Sequence, residues 1–366
     1  MVMKIAVLPG DGIGPEILVQ SLKVLKAISL KFGHKFIISN CLIGAESIKK
    51  NGLPITQETI NICKSSDTIL LGAVGDPLYD NDPQIKIRPE QGLLELRKHL
   101  GLYCNMRPIK TYKKLLKVSP IKQSFIKNVN FVIFRELTSG IYFGKKWRSQ
   151  DEAYDTCTYN KDIIKKIAIK AFETARQRKK KITLVDKANV LETSRLWRET
   201  VKEIAQKNKD IKVDYIFIDN ASMQIVLKPR QFDILLTDNM FGDILSDEAS
   251  VITGSLGLLP SVSFGDHYSL YEPVHGSFPQ AKGKNIANPL GSILSVSLML
   301  ENFGLKKESF LINRAVNESI NLGITTQDLN TKKSCTTSEV GEFLFTSILK
   351  KRKRIIKKND NIKSKK

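Results

Sequence analysis

Short apolar runs that end in a charged residue and give way to stretches of helical period recur along the chain. That alternation restricts it to an α/β architecture. Lys4 to Leu8 reads as a first strand, and Ile17 to Leu30 carries apolar residues at helical spacing. Thr56 is placed to cap a helix running to about Lys64, and Asp67 to Gly72 reads as a further strand. Glu90 to Leu100 reads as helix and Phe131 to Phe134 as strand. Asn160 is placed to cap a long helix with Ile164, Ile167, Ala171 and Phe172 on one face. Ile182 to Val185, Val213 to Ile218 and Phe232 to Leu236 are strands, with a helix carrying Trp197, Val201 and Ile204 after the first of them. Residues 142–159 are polar, aromatic and aperiodic, and read as an excursion from the core. The loop from Ala73 to Pro89, rich in Gly, Pro and Asp, is long enough to suggest a role in function.

The first strand is followed by Pro9-Gly10-Asp11-Gly12-Ile13-Gly14-Pro15-Glu16, which imitates a dinucleotide-binding glycine loop and fails as one. The third glycine would fall at Pro15, and no acid ends a second strand about twenty residues on. Pro15 suits the first turn of a helix. The stretch is therefore a tight strand-to-helix turn, and a Rossmann fold is rejected.

The strand ends carry the chemistry. Arg135, Lys187 and Asp219 each follow an apolar run, and a fourth run leads to Asn239-Met240-Phe241-Gly242-Asp243-Ile244-Leu245-Ser246-Asp247-Glu248. Gly242 breaks the strand pattern, and a helix is expected to begin there. Asp243 and Asp247, four apart, then lie on one helical face. Two like charges at that spacing repel, so the pair reads either as a solvated acidic face near a helix start or as a site for a hard divalent cation. In α/β sheets ligands bind outside the carboxyl ends of the strands, so these cationic and carboxylate side chains are expected to converge there.

At 366 residues the chain is long enough for two domains. Its five cysteines are scattered, with no C-x-x-C pair, which argues for reduced thiols in a cytoplasmic protein and against a zinc site. No apolar run reaches the length of a membrane span, and the N-terminus is too short for a signal segment. The net charge is +21, and residues 350–366 hold ten Lys or Arg and one Asp. A nucleic-acid binder interleaves basic residues with aromatics, and none follows Phe345. Residues 351–366 are expected to be a solvated, mobile basic tail. The non-enzymatic alternative is a basic scaffold whose tail binds nucleic acid or an acidic partner.

Seven motifs occur in order: Gly10-Asp-Gly-Ile-Gly-Pro-Glu16, Gly92-Leu-Leu-x-Leu-Arg97, Arg135-Glu-Leu-Thr-x-Gly-Ile-Tyr-Phe-Gly144, Asp186-Lys-Ala-Asn-Val190, Asp219-Asn-Ala, Asn239-x-Phe-Gly-Asp-Ile-Leu-Ser-Asp-Glu248 and Tyr271-Glu-Pro-x-His-Gly-Ser277. Over roughly residues 1–345 the chain resembles the isocitrate/isopropylmalate dehydrogenase family of β-hydroxyacid oxidative decarboxylases. The resemblance implies a non-Rossmann α/β fold of two domains. Residues 1–101 with 255–350 would form the cofactor-binding domain, and residues 102–254 the dimerisation and metal/substrate domain.

The resemblance also implies a substrate with a malate backbone and, within the family, oxidative decarboxylation of 3-isopropylmalate in leucine biosynthesis; D-malate, tartrate and isocitrate are the alternatives. Arg97, Arg107 and Arg135 match the carboxylate-binding arginines, work suited to guanidinium forks. Asp219, Asp243 and Asp247 match the Mg²⁺ or Mn²⁺ ligands, with Asp219 also touching substrate. Lys187 matches the general base, which needs neighbouring positive charge or desolvation to act, and Tyr142 the acid that protonates the enol after CO₂ leaves. Leu93, with Leu94 beside it, and Val190 are expected to wall the isopropyl group. NAD would lie on a loop matching Gly276 to Asn288, with Asp76, Glu90, His275, Gly276, Ser277, Gln280, Gly283 and Asn288 as its contacts and the 76–89 loop closing over it. The resemblance implies a homodimer in which the partner supplies Lys187 and Asp219.

The chain departs from its family in Gly276-Ser-Phe-Pro-Gln-Ala-Lys-Gly-Lys284. NAD-dependent relatives carry Asp where Gln280 stands. Gln280 can still hydrogen-bond a ribose hydroxyl, but it has no charge to repel a 2′-phosphate, and Lys282 adds positive charge nearby. The chain has no Tyr after Tyr271 and, between Arg314 and Arg352, no Arg, so the contacts that recognise a 2′-phosphate are incomplete. NAD is expected to remain preferred over NADP by a reduced ratio.

Overall fold

The computed structural model of the chain describes residues 1–79, 85–330 and 332–350. The expected tail at 351–366 and part of the 76–89 loop lie outside the described residues. The order of elements is β1 (Val2–Gly10), α1 (Gly14–Phe32), β2 (Lys35–Asn40), α2 (Ala45–Asn51), α3 (Gln57–Ser65), β3 (Thr68–Ala73), α4 (Pro89–Leu100), β4 (Cys104–Lys110), α5 (Gln123–Ile126) and β5 (Asn130–Glu136). Then come β6 (Lys146–Arg148), β7 (Ala153–Asp155), α6 (Lys161–Arg176), β8 (Lys181–Asp186), α7 (Glu192–Lys207), β9 (Lys212–Phe217), α8 (Ile218–Leu227), β10 (Ile234–Thr237) and α9 (Asn239–Thr253). The last are β11 (Pro260–Phe264), β12 (Ser269–Pro273), α10 (Leu290–Asn302), α11 (Lys306–Leu322) and α12 (Thr337–Leu349).

Ten strands form one sheet in the order β2-β1-β3-β12-β11-β4-β5-β10-β8-β9. Strands β5, β10, β8 and β9 run parallel, so Glu136, Thr237, Asp186 and Phe217 end on a common edge. Strand β4 runs antiparallel to β5 with Asn105 opposite Arg135, so the first residues of β4 meet the last of β5. Helices cover the sheet, and its strands contribute fully buried side chains such as Ile5, Leu70, Phe131, Phe134 and Leu236. This order, with antiparallel β11 and β4 in its middle, differs from the parallel order of a Rossmann sheet.

Local chemistry accounts for several boundaries. Thr56 and Asn160 cap α3 and α6 by accepting from Thr59 N and Ile163 N, as their sequences predict. Residues 142–159 leave the sheet as the hairpin β6–β7, whose exposed Trp147 and Tyr154 stack with centroids 5.8 Å apart. Two expectations need correction. Helix α9 begins at Asn239, capped by Asp238, rather than at Gly242. Gly242 lies inside the first turn because a Cβ there would come within 2.7 Å of the Arg135 side chain. Asp219 does not directly follow a strand either: β9 stops at Phe217, and Asp219 sits in the first turn of α8.

Candidate active site

The end of β5, the start of β4 and the first turns of α9 bring two buried arginines up to more exposed carboxylates and a phenol. Arg107 and Arg135 are 7 % and 5 % exposed. Arg135 Nη1 donates to Asp243 Oδ1, and Tyr142 Oη donates to Asp243 Oδ2 at 3.1 Å. Arg107 Nη1 lies 3.9 Å from Asp243 Oδ1 and 3.8 Å from Asp247 Oδ1. Arg97, on α4, pairs with Glu272 of β12 at 3.0 Å, and its field reaches both other arginines. The three expected arginines, both α9 aspartates and Tyr142 are therefore one constellation.

Burial dominates its electrostatics. It pushes Arg135 down to about 10, helped by Arg107 and opposed by Asp243, so Arg135 stays a cation at neutral pH. Burial likewise lowers Arg107, against the field of Asp243. Burial, then the Asp243 carboxylate, push the Tyr142 phenol up, so it keeps its proton at neutral pH. Burial raises Asp247 against the pull of Arg107. Asp238, which caps α9 by accepting from Phe241 N at 2.8 Å, is pushed up to about 7 by burial.

Lys187 and Asp219 form a separate pair. Lys187 Nζ donates to Asp219 Oδ1 at 2.7 Å, which holds the Asp219 carboxyl below its usual range. Ser194 Oγ accepts from Lys187 N at 3.0 Å and fixes the backbone there. Among the described residues no hydrogen bond or ion pair joins this pair to the arginine cluster, and no three His, Cys, Asp or Glu side chains are placed to hold a metal ion. Within one chain, then, Asp219 does not stand with Asp243 and Asp247. Val190 stands with the Lys187 pair, 62 % exposed, while Leu93 is half-buried one turn before Arg97 and Leu94 is exposed.

On the other side of the sheet order, the Gly10–Glu16 turn serves as a seat. Ile13 N donates to Ser277 O at 2.8 Å, and a Cβ on Gly12 would meet that oxygen at 2.0 Å. The glycines therefore let the 276–288 loop approach the start of α1. Asp11, buried, accepts from Ala45 N, Glu46 N and Gly75 N at 2.9–3.1 Å and ties three segments together. Glu90 lies near Gly75 and Ser277: a Cβ on Gly75 would come 2.9 Å from Glu90 Oε1 and 3.3 Å from Ser277 Oγ.

A cavity of about 340 Å³ opens beside this loop, lined in part by Ile13, Gly257, His275, Asn288 and Asp328. His275 Nδ1 lies 2.9 Å from Gly276 O, while its Nε2 is buried without a hydrogen-bond partner among the described residues, and burial lowers the ring's pKa. Asn288 Nδ2 donates to Asp328 Oδ2 at 2.8 Å. Gly276 and Gln280 are exposed, Asp76 half-buried, and Gly283 takes φ of 73°. Lys282 Nζ pairs with Glu46 at 3.3 Å, so its charge is partly met. Asp328, Glu272, Asn239, Asn105 and Ser246 were not expected as site residues. Glu272, Asn239 and Ser246 lie inside recognised motifs, whereas nothing in the sequence marks Asn105 or Asp328.

The isocitrate/isopropylmalate dehydrogenase family model matches residues 4–344. The chain is similar to the 3-isopropylmalate dehydrogenase of Bacteroides fragilis, 48 % identical over 96 % of this chain and 100 % of that protein. It is also similar to that of Aquifex aeolicus, 51 % identical over 89 % and 91 % of the two chains. Among solved structures it resembles an isocitrate dehydrogenase from Methylococcus capsulatus, with a TM-score of 0.85 and 33 % identity over 95 % of this chain and 100 % of that one. A match along nearly the whole chain, together with the arginine and aspartate cluster at the strand ends, places the protein in the isocitrate/isopropylmalate dehydrogenase family.

Proposed function

We infer that the protein is a 3-isopropylmalate dehydrogenase, which oxidises 3-isopropylmalate and decarboxylates it to 4-methyl-2-oxopentanoate and CO₂, reducing NAD to NADH, in leucine biosynthesis. The observation that carries this reading is the convergence of Arg97, Arg107 and Arg135 with Asp243, Asp247 and Tyr142 in a chain whose relatives at 48 % and 51 % identity bear that name. Arg97 supports it further: its Nε is buried without a partner among the described residues, an orphan donor that a substrate carboxylate satisfies. Leu93 and Leu94, one turn before Arg97, offer an apolar wall to the isopropyl group, whereas isocitrate brings a third carboxylate.

The chain's own groups divide the work. The arginines hold the two carboxylates and fix the substrate's orientation. Lys187 takes the proton from the C2 hydroxyl as the C2 hydride departs, leaving a ketone. Loss of CO₂ then leaves an enol, and Tyr142, protonated at neutral pH, delivers a proton to its carbon. Asp243 and Asp247, two hard oxygen donors on one helix face, with the partner subunit's Asp219, suit Mg²⁺ or Mn²⁺, and a bound divalent cation supplies Lewis acidity toward the substrate oxygen while NAD supplies the hydride acceptor. Asp76, Glu90, His275, Gly276, Ser277, Gln280, Gly283 and Asn288 are the proposed NAD contacts. The buried, unpartnered His275 Nε2 and the 340 Å³ cavity beside it fit an N–H donor on a flat heterocycle.

A second copy of the chain completes this site in our reading. Lys187 and Asp219 pair away from the arginine cluster. Nearby, α8 packs on α9, and both expose apolar side chains: Met223 and Leu227 on one, Ile244 and Val251 on the other. We assign residues 1–101 with 255–350 to the cofactor side and 102–254 to the substrate and dimer side, in a cytoplasmic enzyme. No helix among the described residues is long and apolar enough to cross a membrane. The test is NADH formation with 3-isopropylmalate, isocitrate and D-malate, each with Mg²⁺ and with EDTA. The expected result is the highest kcat/KM for 3-isopropylmalate and loss of turnover in EDTA. A preference for another substrate defeats the substrate assignment, and full activity in EDTA defeats the carboxylate-metal reading.

A further inference from the structure

The three arginines are held by two different kinds of partner. Arg97 is held by a carboxylate, Glu272. Arg135 is held by an amide as well as a carboxylate: Asn239 Oδ1 accepts from Nε at 3.1 Å and from Nη2 at 2.8 Å, while Nη1 donates to Asp243 Oδ1. Arg107 is held by a second amide and a hydroxyl, with Nε donating to Asn105 Oδ1 at 2.6 Å and Nη1 to Ser246 Oγ at 2.5 Å. The donor end of each amide is occupied by the protein. Asn239 Nδ2 donates to Ser139 O at 3.2 Å, and Asn105 Nδ2 lies 3.1–3.4 Å from Ser261 Oγ, Val262 O and Ser263 Oγ. That contact turns each carbonyl oxygen toward its guanidinium. Both asparagines are buried, at 1 % and 0 % exposure, and Asn239 N is itself anchored on Tyr159 Oη at 3.0 Å.

An amide oxygen can orient a guanidinium as firmly as a carboxylate can, but it leaves the positive charge uncancelled. In a buried cleft that difference is large, because charges interact strongly where water is excluded. We propose that Asn239 and Asn105 are positioning residues that fix Arg135 and Arg107 without adding negative charge to that of Asp243 and Asp247, so that the pair keeps its pull on a dianionic substrate. The assignment rests on the 3-isopropylmalate reading and adds to it the origin of the site's affinity for a dianion.

The test uses the full-length protein and three variants, Asn239→Asp, Asn239→Ser and Asn105→Asp, with kcat and the KM values for 3-isopropylmalate and NAD measured separately. Asn105→Asp isolates charge most cleanly, because the Ser263 hydroxyl can turn to donate to the new carboxylate. Both Asp variants are expected to raise the KM for 3-isopropylmalate roughly tenfold or more, as loss of a buried charge contact does. The NAD KM is expected to stay within about twofold of wild type, since the asparagines act on substrate binding alone. Asn239→Ser, which loosens Arg135 without cancelling its charge, is expected to fall between wild type and Asn239→Asp. Substrate KM unchanged in Asn105→Asp, or NAD and substrate KM rising together in both Asp variants, overturns the proposal. Wild-type protein that fails to turn over 3-isopropylmalate defeats the functional reading instead, so the two failures are distinct.

Discussion

The arginine cluster and the Lys187–Asp219 pair are both built at strand ends on one edge of the same sheet, yet they differ in almost every physical respect. Arg107 and Arg135 are nine-tenths buried or more, and each is fixed by several hydrogen bonds. Asp219 has a side chain 67 % exposed, and the side chain that meets it is Lys187. The first region is preorganised within one chain: its donors are aimed and desolvated before a ligand arrives. The second pairs its two groups in a more open setting. Catalysis by a lysine base needs desolvation or neighbouring positive charge, and in the proposed dimer a second copy's buried arginines would supply both.

That contrast orders the expected effects of mutation. Lys187→Ala removes the proposed base and is expected to lower kcat by about 10²–10⁴-fold while leaving the KM for 3-isopropylmalate little changed. Arg135→Gln removes a carboxylate contact and is expected to act on KM as well as kcat. Steady-state kinetics on both variants separates the two roles. A Lys187→Ala enzyme that loses only substrate affinity would reverse the assignment.

How much of this was readable beforehand depends on how local its cause was. The strands ending near Arg135 and Lys187 followed from apolar runs, and the caps of α3 and α6 from Thr56 and Asn160, because each is determined by residues within one turn. The start of α9 was misplaced because Gly242 looks like a breaker in sequence. Its reason is the side chain of Arg135, more than a hundred residues away and brought close by the β5–β10 pairing. The glycines at 10 and 12 were rightly refused as a phosphate loop, but their partners Ala73 O and Ser277 O could be found only in three dimensions. The amide clamps were hidden for the same reason, since Asn105 reaches Arg107 through a strand, β4, that its sequence did not announce.

The smallest expected effect tests the cofactor side. Gln280 is exposed and uncharged, and Lys282 beside it is partly neutralised by Glu46, so the loop neither strongly repels nor attracts an extra phosphate. NAD is expected to be preferred modestly over NADP. Gln280→Asp is expected to widen the ratio of kcat/KM values about five- to a hundredfold by lowering NADP use, the range that one site feature commonly supplies. An NADP preference in the wild type, or an unchanged ratio in the variant, would show that discrimination lies elsewhere.

The most direct measurement of the central claim is subunit complementation. Lys187→Ala and Arg135→Gln proteins, each inactive or nearly so, are mixed in equal amounts, unfolded and refolded together, and assayed with 3-isopropylmalate, NAD and Mg²⁺. If each site joins the arginine cluster of one subunit to Lys187 of its partner, a hybrid dimer regains one intact site. Random pairing of the two chains then restores roughly a quarter of wild-type activity. A mixture no more active than its two parents, beside a wild-type control refolded to full activity, would place each whole site within a single chain and contradict the account.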